Sequence, residues 1–213
     1  MRTGVAGNGT IVRRFLKDAA QVEDVRTTAI CVRERSREKG EELAREYGMK
    51  VYTDYEAFLR EGDMDTVYVG LINTQHYSYA KQALLAGKHV ICEKPLTETA
   101  AQARELADLA REKNLFLWEA FKLPYGSILP AVKEHVKELG PVRVVQCSSA
   151  SRAVLCLGGE ETEIACQPEK GSLKPEIQAF ARQLQTGDRT PCYEMLKHSV
   201  QVMEILDDLN NSL

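Results

Sequence analysis

The chain has 213 residues, of which 44% are hydrophobic and 28% are charged, and its formal net charge is −3. This composition is typical of a soluble globular protein, and the small charge gives no broad electrostatic reason to bind nucleic acid or an anionic membrane. Because no apolar run approaches the roughly 20 residues that span a bilayer, we expect neither a nucleic acid nor a membrane as partner.

Strand and helix patterns alternate along the first part of the chain. The predicted strands are 2–6, 25–32, 51–52, 66–72, 89–92 and 115–118, and predicted helices begin near residues 10, 36, 55, 74 and 99. At the last of these, Thr99 and Gln102 have the spacing of a capping box. The alternation predicts parallel βαβ units, and the almost uninterrupted apolar run at 66–72 predicts a strand covered on both faces. The predicted fold class is therefore α/β, with a doubly wound parallel Rossmann sheet.

The pattern changes after residue 120. A connecting helix is predicted over 124–139, and the alternation over 142–148 predicts a half-covered strand in a different sheet. The remaining predicted elements are two strands and two helical apolar stripes, at 153–157, 163–166, 177–184 and 202–209. We predict a dinucleotide-binding domain over 1–120 and a truncated α+β domain with an open sheet over 121–213.

The cysteine spacing favours a reducing compartment. The six cysteines include no Cys-x-x-Cys pair, and the four histidines are not spaced with them as zinc ligands are. The N-terminus also lacks the apolar core of a signal peptide, because glycines interrupt it. We predict buried thiols, a cytoplasmic protein and no metal site.

A glycine loop opens the first predicted helix. In Gly7-Asn8-Gly9-Thr10-Ile11, the two glycines stand where a dinucleotide-binding turn needs close backbone approach to a pyrophosphate, at a helix N-terminus that attracts anions. Val12 occupies the third glycine position of the fingerprint and departs from it. If Val12 faces the sheet, we expect the helix to lie further out and the cofactor to bind less tightly.

The tip of the second strand bears on the choice of cofactor. An acidic residue there accepts hydrogen bonds from the adenosine ribose, whereas an arginine suits the 2′-phosphate. Arg33, with Arg35 and Ser36 close behind, favours NADP. Glu34 leaves NAD open, and the same residues are also typical of the solvated start of a charged helix.

Two strand ends supply further candidate site residues. After the fourth strand, Leu71, Asn73 and His76 are predicted to contact the cofactor, and His76 is either a structural residue or a general base. After the fifth strand, Glu93 and Lys94 precede a proline. A lysine desolvated at this sheet edge can relay the proton that accompanies hydride transfer, so we predict that Lys94 is catalytic and contacts the cofactor. The alternative is a surface lysine.

Several motifs together resemble one family, the glucose–fructose oxidoreductase/inositol dehydrogenase (Gfo/Idh/MocA) family, close to its trans-dihydrodiol-dehydrogenase-like branch. They are the Gly-Asn-Gly loop, Asn73 with His76, Gly87-Lys88-His89-Val90, Glu93-Lys94-Pro95 and Glu119-Ala120-Phe121. The resemblance implies a Rossmann domain, NAD(P), a sugar, polyol or dihydrodiol substrate, and homo-oligomers packed through the open sheet of the second domain. It also implies that Lys94 lies at the nicotinamide and the substrate, with Glu93 beside it in the cofactor site.

The chain departs from this family after Phe121. Family members usually carry an aspartate and a histidine, four residues apart, on a second-domain helix, and nothing here matches them. The central part of the substrate domain is missing from the sequence, with a join between Ser149 and Gly159.

Our first hypothesis is an NAD(P)-dependent oxidoreductase acting on a carbohydrate-like or vicinal-diol substrate. The alternative is a non-catalytic NAD(P)-binding regulatory or sensor module on the same fold.

Overall fold

The computed structural model describes residues 1–121, 125, 153–157, 160–164 and 172–211. Its strands are β1 Arg2–Ala6, β2 Arg26–Cys31, β3 Lys50–Tyr52, β4 Thr66–Val69, β5 His89–Glu93, β6 Leu117–Ala120, β7 Ala153–Leu157 and β8 Glu160–Ile164. Its helices are α1 Thr10–Ala19, α2 Arg37–Tyr47, α3 Tyr55–Glu61, α4 Asn73–Leu85, α5 Ala100–Glu112, α6 Lys174–Thr186 and α7 Thr190–Asn211, and a 3₁₀ turn spans Glu34–Ser36. The helix predicted over 124–139 and the strand predicted over 142–148 lie outside the described residues.

Six parallel strands form the central sheet in the order β3-β2-β1-β4-β5-β6, so the predicted α/β Rossmann sheet is confirmed. The strand order reverses between β1 and β4, because the chain returns from β3 to the other side of β1. Loops that follow strands on the two sides of such a switch point diverge and leave a crevice at the carboxyl edge of the sheet. All four residues of β4 are buried, as its apolar sequence predicts.

Some predicted boundaries were wrong, for local reasons. The strand predicted at 115–118 lies at 117–120, because Asn114 adopts a left-handed φ of 55° and Leu115 donates to the carbonyl of Ala110, which closes α5. The strand predicted at 163–166 is β8, which begins directly after a two-residue connection because Leu157 pairs with Glu160. The predicted capping box of α5 is present, since Gln102 donates its main-chain amide to Thr99 Oγ1 at 3.3 Å.

The two C-terminal helices pack against the end of the sheet that β6 forms. The Trp118 ring stacks between Phe116 and Phe180, and its indole N–H donates to Gln183 of α6 at 2.8 Å. Helix α7 contacts α5 and β6. Neither helix, nor any other in the described ranges, is long and apolar enough to cross a membrane.

Candidate functional site

A cleft of about 270 Å³ opens at the carboxyl edge of the sheet. It lies at the switch point, because loops after β1, β2 and β4 line it. The lining residues are Gly7, Asn8, Gly9, Ile11, Cys31, Val32, Arg33, Thr53, Tyr55, Gly70, Leu71, Ile72, Gln75 and Tyr79. Six of them belong to the set predicted from the sequence, namely Gly7, Asn8, Gly9, Ile11, Arg33 and Leu71.

Gly7 makes the turn from β1 into the cleft, and only glycine fits there. Its φ is +112°, and a Cβ atom on it would lie 2.5 Å from the carbonyl oxygen of Gly70. Two hydrogen bonds fix the loop to the neighbouring strands, from Gly7 N to Cys31 O at 2.9 Å and from Gly70 N to Ala6 O at 3.0 Å. The glycine therefore lets two strand ends approach each other at the floor of the cleft.

Gly9 is a glycine that neither the backbone nor the protein packing requires. Its φ of −71° suits any residue, and a Cβ atom on it would meet nothing within 4 Å. As the N-cap of α1 it offers no side-chain acceptor, and the first turn of the helix carries no acidic residue. No side chain therefore caps the first N–H groups of α1, which fits a bound anion such as a pyrophosphate. Thr10 is the exposed first residue of this helix.

The departure at Val12 is compensated from across the cleft floor. Val12 is fully buried, and a Cβ atom on Gly70 would lie 2.6 Å from Val12 Cγ2. Gly70 therefore provides the space that the third glycine of the fingerprint normally leaves between helix and strand. This pair also removes the reason to expect that α1 is displaced outward.

At the tip of β2, the acidic residue is already engaged. Arg37 donates to both carboxylate oxygens of Glu34, at 2.8 and 3.1 Å, and this hydrogen-bonded pairing lowers the pKa of Glu34. Arg37 also donates to Thr53 Oγ1 at 3.2 Å. By contrast, the exposed guanidinium of Arg33 lines the cleft and forms no ion pair with the described residues.

An aromatic pair closes one side of the cleft. The rings of Tyr55 and Tyr79 lie 4.4 Å apart, and the Tyr55 hydroxyl donates to the Tyr79 carbonyl at 3.0 Å. Burial raises the pKa of Tyr55 well above its ordinary value, and burial, assisted by Asp54, raises the pKa of the neighbouring Cys31 thiol to about 12. Both groups therefore stay protonated, which gives the cleft a neutral wall.

His76 and Asn73 do not line the cleft. His76 is buried in α4, where Nδ1 lies 2.7 Å from the Pro95 carbonyl oxygen and Nε2 lies 3.1 Å from that of Leu71. Both ring nitrogens thus face main-chain carbonyls, which leaves neither free to take a proton from a substrate. Asn73 is exposed as the first residue of α4.

Glu93 and Lys94 end β5, beside β4. Glu93 is buried and accepts a 2.6 Å hydrogen bond from the Tyr68 hydroxyl, whose pKa is raised well above its ordinary value by burial and by this carboxylate. The Lys94–Pro95 bond is cis. Lys94 is exposed and forms no hydrogen bond or ion pair with the described residues, so the expected desolvation of its side chain is not found.

This sheet, with a glycine cradle at its switch point, defines an α/β unit of the Rossmann class. The family model described as "Oxidoreductase family, NAD-binding Rossmann fold" (GFO_IDH_MocA) matches residues 1–121. The chain belongs to this family, as its motifs predicted.

Three relatives illustrate the similarity. The chain is 35% identical over 174 residues to a dTDP-3,4-didehydro-2,6-dideoxy-alpha-D-glucose 3-reductase of Streptomyces violaceoruber, which is 81% of this chain and 50% of that protein. It is 32% identical to a trans-1,2-dihydrobenzene-1,2-diol dehydrogenase of Xenopus laevis, over 67% of this chain and 44% of that protein. The crystal structure of the 3-ketoreductase KijD10 from Actinomadura kijaniata, with NADP and TDP-benzene, superposes with a TM-score of 0.61 at 34% identity, covering 65% of this chain and 42% of that one. The chain spans about half the length of these curated relatives.

Proposed function

We propose that this protein is an NADP-dependent oxidoreductase that transfers a hydride between the nicotinamide and a sugar-like substrate, either a sugar, a polyol or a dihydrodiol. The observation that carries the proposal is the cleft at the switch point, with an open glycine cradle at one helix N-terminus and, at the tip of β2, an arginine that forms no ion pair with the described residues. Relatives that reduce a nucleotide-linked ketosugar or oxidise a dihydrodiol support the substrate class.

Each part of the cleft has a proposed partner on the cofactor. The loop Gly7–Ile11 binds the pyrophosphate through the amides of residues 8–11, because the Gly7 amide already donates to the Cys31 carbonyl. Arg33 binds the 2′-phosphate. Glu34 does not compete, because Arg37 holds its carboxylate. Leu71, Asn73, His76 and Glu93 shape the loops that follow β4 and β5.

Lys94 is the proposed catalytic residue. When bound, the cofactor accepts or supplies the hydride, and the substrate oxygen then loses or gains a proton. An ammonium at the end of β5, without a described protein partner, is available to donate a hydrogen bond to that oxygen and to exchange its proton. We also propose that the cofactor-binding domain ends at residue 120, that the protein is cytoplasmic, and that it forms a homo-oligomer through its second domain.

Calorimetric titration with NADP⁺ and NAD⁺ tests the cofactor assignment. We expect Arg33→Ala to weaken NADP⁺ binding about tenfold, the loss expected for one hydrogen-bonded charge pair, and to change NAD⁺ binding less than about twofold. Arg35→Ala is the matched control, because Arg35 is exposed nearby and does not line the cleft. Equal losses for both nucleotides in Arg33→Ala would refute the assignment to NADP.

The second candidate function is a non-catalytic NAD(P)-binding module. The exposure of Lys94 favours it, because proton transfer normally takes place in a site closed to water. Assays with dTDP-linked ketosugars, inositols and dihydrodiols separate the two functions. Turnover that Lys94→Ala abolishes supports the enzyme, and NADP⁺ binding without turnover of any of these substrates supports the module.

A further inference from the structure

The main chain around Lys94 is held by side chains from other elements. We call residues 94–96 the lysine turn. His76 Nδ1 of α4 lies within hydrogen-bond distance of the Pro95 carbonyl oxygen, at 2.7 Å. The Leu96 amide donates to Glu119 Oε1 of β6 at 2.9 Å. Leu96 itself is fully buried, so the turn is anchored although the Lys94 side chain is exposed.

Glu119 is fixed at both of its carboxylate oxygens. β6 pairs with β5 so that Glu119 lies opposite Cys92, two residues before Lys94. Its second oxygen, Oε2, accepts a 2.6 Å hydrogen bond from the buried Ser199 hydroxyl of α7. That hydroxyl also lies 3.3 Å from the Met195 carbonyl, but its single proton favours the shorter bond to a charged acceptor. Helix α7 thereby seats the carboxylate that holds the lysine turn.

His76 extends the connection to the cofactor cleft. Its Nε2 faces the carbonyl of Leu71 at 3.1 Å, and Leu71 lines the cleft. One buried imidazole thus lies between the lysine turn and a loop that forms the cleft wall. Since the Lys94 ammonium forms no hydrogen bond or ion pair with the described residues, the turn is what sets its position relative to the cleft.

We infer that Glu119, seated by Ser199, and His76 are positioning residues that direct Lys94 toward the bound cofactor. This inference rests on the proposed function, because it assumes that Lys94 and the cradle serve one nucleotide. It adds a role for the C-terminal helix α7, which reaches the lysine turn through the contact of Ser199 with Glu119 of β6. Neither Glu119 nor Ser199 lines the cleft, so the loss of either side chain should leave NADP⁺ affinity nearly unchanged.

The test measures the acetylation rate of Lys94 by acetic anhydride, with and without saturating NADP⁺, by mass spectrometry of the peptide that contains it. In the unmodified chain, we expect NADP⁺ to slow the reaction about tenfold, the scale of one charge-assisted contact. In Glu119→Ala we expect protection of less than about threefold, with NADP⁺ affinity within about threefold of the unmodified chain. In His76→Ala we expect the same loss of protection, measured at saturating NADP⁺. Glu119→Gln retains an acceptor for the Leu96 amide and should recover most of the protection.

Gln183→Ala is the matched control, because it removes the 2.8 Å bond between β6 and α6 without touching the lysine turn. Full protection in Glu119→Ala, or an equal loss in Gln183→Ala, would overturn the inference. If Glu119→Ala does not fold, the same measurement is made on Ser199→Ala. Undiminished protection of Lys94 in Ser199→Ala would also overturn the inference. Failure of the unmodified chain to bind NADP⁺ would refute the proposed function itself, and binding without protection would refute the role of Lys94.

Discussion

The glycine cradle makes a prediction in which stability and binding change in opposite directions. Gly9 has an extended φ of −71° and open space around its Cβ position, so Gly9→Asp introduces no strain or clash. An N-cap aspartate adds a few tenths of a kcal/mol over glycine, and its charge at the helix N-terminus adds about 0.3–1 kcal/mol. We therefore expect the variant to unfold about 1–4 °C higher than the unmodified chain.

The same carboxylate should expel the cofactor. At about 4 Å from a phosphate charge, with an effective dielectric constant of about 20, the repulsion is about 4 kcal/mol. Solvent in the open cleft screens part of it, and we expect NADP⁺ affinity to fall at least about tenfold, or about 1.4 kcal/mol. The assays are thermal unfolding without ligand and calorimetric titration with NADP⁺.

Gly9→Asn is the control, because it caps the helix with a neutral side chain of the same shape. NADP⁺ should bind Gly9→Asn more tightly than Gly9→Asp. If the two variants bind NADP⁺ equally, no phosphate lies at this helix terminus and the reasoning fails. A lower unfolding temperature for Gly9→Asp would show that the assigned N-cap is wrong.

Three further predictions follow from single side chains. Gly70→Ala places a Cβ atom 2.6 Å from Val12 Cγ2, so we expect urea unfolding to show a free energy of unfolding lower by about 1–3 kcal/mol. Adding Val12→Ala should recover part of this stability. An unchanged free energy of unfolding in Gly70→Ala would disprove the compensation. Burial lowers the pKa of His89, so as the pH falls the unfolded chain binds the proton at a higher pH than the folded chain does. The free energy of unfolding should therefore be full above about pH 6.5 and fall below it. This fall should be smaller in His89→Asn. Burial raises the pKa of both Cys31 and Cys192 to about 12, so both thiols should react slowly with iodoacetamide. Bound NADP⁺ should further slow the reaction of Cys31, which lines the cleft, and leave that of Cys192 unchanged. Equal protection of both thiols would contradict this placement.

The features that the sequence predicted are those encoded locally. The buried run of β4, the glycine turn at Gly7 and the capping box at Thr99 each depend on a few adjacent residues, and each was recognisable from spacing alone. The pairing of Glu34 with Arg37 also had a local signal, the i, i+3 spacing of opposite charges, which the sequence interpretation did not use.

The features that it missed depend on contacts between distant segments. The fit of Val12 against Gly70 joins α1 to the end of β4, and no periodicity reports it. Thr53 and Tyr79 reach the cleft only because β3 and α4 pack beside it. The role of Ser199 depends on the docking of α7 against β6. The sequence predicted this helix from an apolar stripe and gave no sign of the hydrogen bond from Ser199 to Glu119.

The central claim is that the glycine loop at the N-terminus of α1 and the Lys94 ammonium hold opposite ends of one NADP molecule. A crystal structure of the 213-residue chain grown with NADP⁺ tests it most directly. We predict electron density for the diphosphate against the N-terminus of α1 and for the nicotinamide ring beside the Lys94 side chain. Density that places the nicotinamide on any other surface, away from the end of β5, would contradict the account.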